Sequence, residues 1–157
     1  MSLAKDKPYY PNPSDYEDDV HSWAFEQAQL LRLGRFSEVD LPNVIEELES
    51  LGREIEIQLE TAYCDLIAGL LEWNAAPENR TIELSKTIRN ARFSIRQEER
   101  DSKSLRNRAK AIVDEVYSQS VRQAMIATGR PRSVFPIACP YELDFLRNPD
   151  SFPGDAD

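Results

Sequence analysis

Glu46, Glu47 and Glu49 form the densest group of potentially reactive side chains in this sequence. Clustered glutamates on helices hold a metal pair when two of the helices also supply a histidine in an E-x-x-H register. This chain has one histidine, His21, with Asp18 three positions before it. A single histidine cannot supply the pair, so the three glutamates read as an edge for ion pairs, and neither a metal nor a cofactor is expected. Cys139, between Ala138 and Pro140, would act as a nucleophile only beside a base. His21 is the one candidate histidine, no spacing ties it to the thiol, and a packed cysteine is the simpler reading. The five glycines are isolated, so no loop is built to cradle a phosphate. No catalytic residue is assigned.

The cations have a sharper pattern. Residues 80–110 hold 10 basic and 4 acidic side chains, and Arg89, Arg92, Arg96 and Arg100 recur along one edge of a helical pattern. With Lys103 and Arg106 they would suit a nucleic-acid contact. The stripe borders an apolar seam, however, so Arg89, Arg92 and Arg96 are expected to meet carboxylates of the long acidic helix or of the first helix. Tyr16, Trp23 and Trp73 stand at helical spacing and read as an aromatic core or a pocket.

These groups must be positioned by helices. Residues 41–73 form one acidic amphipathic pattern, with Leu48, Leu51, Ile55, Leu59, Ala62, Leu66, Leu70 and Trp73 on a single stripe at about 100° per residue. Gly52 is its weak point, where a bend or break is expected. Ser14 and Glu17 predict a capping box opening a first helix that ends at Gly34, with Tyr16, Val20, Trp23, Gln27, Leu30 and Leu31 inward. A third helix is expected over 81–100 and a fourth over 102–128, stopped by Gly129 and Pro131. The tail, 130–157, carries Val134, Phe135, Ile137, Tyr141 and Phe145 among its prolines, and reads as a strap with one short turn at 141–146. The whole is an all-α, bundle-like domain over 14–157 behind an extended arm, 1–13.

A chain of 157 residues with 41% hydrophobic and 30% charged side chains is a globular protein able to bury one core. The net charge of −9 argues against a general nucleic-acid binder and against an anionic membrane surface. Charge is divided unevenly: residues 1–79 hold 17 acidic and 5 basic groups, residues 80–157 hold 11 and 14. Opposite signs in one short chain suggest helices pairing across charged edges. With no apolar run of membrane length and no signal-peptide core, a cytoplasmic setting with free thiols at Cys64 and Cys139 is expected.

In order, Tyr16, Asp19, Trp23, Gln27, Leu30, Leu31 and Gly34, then Asn43, Glu46, Glu47, Glu49, Leu51 and Gly52, then Leu70, Leu71 and Trp73, then Thr87, Ile88, Arg89 and Arg92, and finally Cys139-Pro140-Tyr141, resemble the bacterial family catalogued as domain of unknown function 29. The family commonly has a histidine and a lysine before Trp73 where this chain has Gly69 and Glu72, and a tryptophan where it has Leu84. The resemblance implies an all-helical fold and no established activity. The leading functional reading is therefore a non-enzymatic protein-interaction module, adaptor or antitoxin-like, binding an unidentified protein or a second copy of itself. Nucleic-acid binding through the basic third helix is the rival, and an enzyme using Glu46, Glu47 and Glu49 ranks last.

Overall fold

Six α-helices carry the described residues: α1 (Val20–Arg32), α2 (Leu41–Ala75), α3 (Ile82–Asp101), α4 (Lys103–Asn107), α5 (Ala109–Thr128) and α6 (Leu143–Arg147). The computed structural model describes residues 7–154, so the first six residues of the expected arm and the last three of the strap lie outside the described residues. The fold is all-α, with no strand among the described residues. No described helix is long and apolar enough to cross a membrane. The chain divides into two units, 1–53 and 54–157, and α2 contributes its first turns to one and the rest to the other.

In the first unit, α1 starts later than its sequence suggests. Asp19 caps it, accepting from the Ser22 amide at 3.0 Å. The expected box at Ser14 does not form, because both Ser14 donors go to Glu26 at 2.7 and 2.9 Å and the Glu17 amide turns back to Asp15 at 2.8 Å. Trp23, Gln27 and Leu30 are buried, whereas Val20 and Leu31 are exposed, so the inward stripe is narrower than the apolar pattern. Gly34 takes the left-handed conformation (φ 68°) that ends the helix. Asp40, just before α2, ties the unit together. Its amide donates to Gln27 Oε1 at 2.8 Å, and its carboxylate accepts from the Trp23 indole at 3.1 Å and from the Asn43 amide at 2.8 Å.

The expected break at Gly52 is absent: α2 is continuous from Leu41 to Ala75. One glycine costs a helix about 1 kcal/mol, which the neighbouring turns easily outweigh. The expected inward seam is also corrected. Leu48 and Leu51 are exposed, and burial along α2 begins only at Leu59.

In the second unit, bundle-like packing surrounds α2. Leu59, Tyr63, Leu66, Ile67 and Leu70 of α2 meet Ile88 and Ile95 of α3, Ile112, Val113 and Val121 of α5, and Phe135, Leu146 and Phe152 of the tail in one buried cluster. Gly69 is where α3 comes close, since a Cβ there would stand 2.9 Å from Ile88 Cγ1. The expected fourth helix is two helices, interrupted at Arg108 (φ −93°, ψ 0°), and Gly129 closes α5 with φ 67°. The tail makes a tight turn at Arg132–Val134 and the short α6. Of its apolar residues, Phe135 is buried and Tyr141 and Phe145 are partly so, but Val134 and Ile137 face solvent.

Candidate functional site

Residues four apart on a helix share a face, and α3 uses that rule to stack Arg92, Arg96 and Arg100. Thr81 caps α3 through a bond from the Leu84 amide at 3.1 Å. At Ser102 the backbone turns extended, which redirects the chain into α4 and brings Lys103 and Arg106 beside the arginines. Together with Ile95, Glu99 and Arg147 of α6 they line a cavity of about 490 Å³. Six cations thus surround one carboxylate.

That carboxylate is already engaged. Glu99 is 4% exposed and receives Arg147 Nε and Nη2, each at 2.9 Å, and the Tyr63 hydroxyl at 2.6 Å. Burial, and then Glu99 itself, push the Tyr63 phenol far above its ordinary value, so it stays a donor. Arg92 is 2% exposed. Its Nε donates to the Leu146 carbonyl at 2.9 Å and its Nη2 to the Phe145 carbonyl at 3.1 Å, with the guanidinium over the Phe145 and Phe152 rings. Arg92 Nη1 is buried without a partner among the described residues. A buried donor left unmade costs about 1–3 kcal/mol, more when charged.

The other residues singled out in the sequence fall as follows. Arg89 reaches Asp150 at 3.9 Å and Arg92 reaches tail carbonyls, so neither finds the helix carboxylates expected for it. Arg96 makes no ion pair among the described residues. Packing decided this: Arg92 sits at the centre of the α3 face that the tail covers. A carboxylate of the long helix does bind a cation of another helix, but through Glu56 and Arg108. In the first unit Glu47 accepts from the Tyr16 hydroxyl, and Glu49 lies 3.7 Å from Arg53. The bond to Glu47 pushes Tyr16 up to about 12. Glu46 is exposed.

Tyr16 packs edge-on to Trp23 at 4.8 Å in the first unit, while Trp73 in the second packs on Phe152 at 4.7 Å under Arg80. Among the described residues no three His, Cys, Asp or Glu side chains are grouped to hold a metal ion. Cys64 accepts a weak bond from the Ser120 hydroxyl at 3.6 Å.

Glu99, Tyr63 and Arg147 were not foreseen. The one available signal was Glu99 itself, an acid on the arginine face of α3 seven residues after Arg92.

The family model described as domain of unknown function DUF29 matches residues 16–152, nearly the whole chain. The chain is a member of the DUF29 family. No curated protein and no solved structure matches it. In this DUF29 protein Gly69 and Leu84 face each other where α2 and α3 approach, with Leu84 Cδ1 3.7 Å from the position of a Cβ at Gly69.

Proposed function

We propose that this DUF29 protein is a cytoplasmic, non-enzymatic interaction module of the adaptor kind, which docks an amphipathic, cationic segment of another protein on the first turns of α2. The observation that carries this reading is the stripe Leu41, Ile45, Leu48 and Leu51, whose members are 46–65% exposed. Four large apolar residues in helical register, left in water, mark a surface that something covers. Glu46 and Glu49 lie beside them with their carboxylates outward. The first unit as a whole holds 11 acidic and 5 basic groups. An apolar stripe edged by acid favours a partner with leucine-like anchors and lysines or arginines alongside.

The test uses a synthetic helical peptide with leucines at i, i+3, i+4 and i+7 and lysines flanking them, against a copy with glutamates in place of the lysines. The cationic peptide should bind, and Leu48→Asp or Ile45→Asp should weaken it at least tenfold without lowering helicity. Equal binding of both peptides, or binding indifferent to Leu48→Asp, overturns the proposal. A dimer in light scattering that Leu48→Asp disperses would put a second copy of the chain on the stripe instead.

A further inference from the structure

The cavity lined by α3, α4 and α6 is independent of the α2 stripe and lies wholly within the second unit. We propose that it binds the di- or triphosphate group of a small molecule. Three observations lead there. The first is uncompensated charge: Arg92, Arg96, Arg100, Lys103, Arg106 and Arg147 face a space whose single acid, Glu99, is already held by Arg147 and Tyr63. Among the described residues Arg96, Lys103 and Arg106 make no ion pair, and Arg100 has only its neighbour Asp101 at 3.3 Å.

The second is a built, buried donor. Arg92 lines the cavity with its side chain withdrawn from water and fixed by two main-chain carbonyls, yet Nη1 has no acceptor. Burial, and then the neighbouring Arg89, lower the affinity of Arg92 for its proton, the sense expected of a cation short of a counter-anion. An arginine held in this way is pre-organised, because its fork is oriented before any ligand arrives.

The third is spacing. Successive α3 arginines are one helical turn apart, about 6 Å along the axis, which suits charge distributed over linked phosphates better than a single compact anion. A volume near 490 Å³ also falls in the range of small-molecule sites. Ile95 gives the inner wall an apolar patch for the rest of the ligand.

Titration calorimetry of the whole chain with tripolyphosphate, ATP, inorganic phosphate and a 20-nucleotide single strand tests this. Tripolyphosphate and ATP should bind one per chain, at least tenfold tighter than inorganic phosphate. Arg96→Gln and Arg100→Gln, both at exposed positions, should each weaken them three- to tenfold. Arg92→Lys should weaken them further, provided its circular dichroism matches the parent. Arg53→Gln and Arg108→Gln, outside the cavity, should leave affinity unchanged, as should Leu48→Asp on the stripe. Failure of tripolyphosphate to bind, or equal losses in the two outside variants, overturns the proposal. So does a strand that outcompetes tripolyphosphate and loses affinity in those outside variants, which would make the cavity part of an extended nucleic-acid surface.

Discussion

Glu99 and Arg147, 48 residues apart, meet as a two-pronged ion pair, with both bonds 2.9 Å long and the carboxylate almost completely shielded from water. This pair fastens α6 to α3. Removing one partner strands the other, so Arg147→Ala should cost about 3–5 kcal/mol. Glu99→Gln, which keeps an acceptor for the Tyr63 hydroxyl, should cost less. Urea unfolding of both variants checks the order, and equal costs would show that the carboxylate charge carries the whole pair.

Arg92→Ala should destabilise the protein more than Arg100→Ala. The former loses two bonds to main-chain carbonyls and its stacking on two phenyl rings, at about 1.5–3 kcal/mol per charged bond. The latter removes an exposed group whose neighbouring pair is worth about 0–1 kcal/mol. Thermal unfolding separates the two.

The two glycines of α2 should respond oppositely to alanine. Gly52 has open space around it and an ordinary helical backbone, so Gly52→Ala should add about 0.5–1 kcal/mol. At Gly69 the new methyl would press on Ile88 at 2.9 Å. Overpacking of this kind costs about 1–3 kcal/mol and should cancel or exceed the helix-propensity gain. Melting temperatures of the two single variants decide it.

Acid should loosen the first unit. The Asn43 side-chain amide, aided by the Trp23 indole, holds the Asp40 carboxyl below its usual range, and the Arg35 guanidinium does the same for Glu38. A carboxyl whose folded value lies below its unfolded one contributes stability that is complete above about pH 5 and disappears as the pH falls through the folded value. The Trp23 indole proton signal in NMR should therefore shift and broaden on acidification. In Asp40→Asn that response should be smaller; an unchanged response would place the acid sensitivity elsewhere.

Both thiols should be sluggish. Burial raises the proton affinity of Cys64 and of Cys139, so little thiolate exists near neutrality. An aromatic disulfide reagent should titrate both cysteines quickly in denaturant and neither quickly in the native protein.

How far the chain could be read in advance follows from range. Helix ends set by local chemistry were legible: Thr81 caps α3, Gly129 closes α5, and Gly34 ends α1 as their types require. Competition between near neighbours was not, since Ser14 is a sound cap by type but Glu26 takes both its donors. Periodicity marked the apolar stripe of α2 correctly as a stripe, but a pattern carries no information on where its cover stops. Thus Leu48 and Leu59 look alike in sequence and differ wholly in burial. For the site, Arg92, Arg96 and Arg100 were visible as a row. Their partners were not, because an arginine that binds main-chain carbonyls leaves no complementary residue type to find.

That last bond pattern has a consequence for how the chain is made. The first unit ends at Arg53, so its packing can be complete before residues 54–157 are made. The second unit cannot do the same, since Arg92 obtains its acceptors only from Phe145 and Leu146, more than fifty residues later. During synthesis α3 must wait with Arg92 still hydrated, and without its main-chain acceptors, until α6 arrives. Vectorial folding of this protein therefore has an early, local phase and a late one that is set by the emergence of α6.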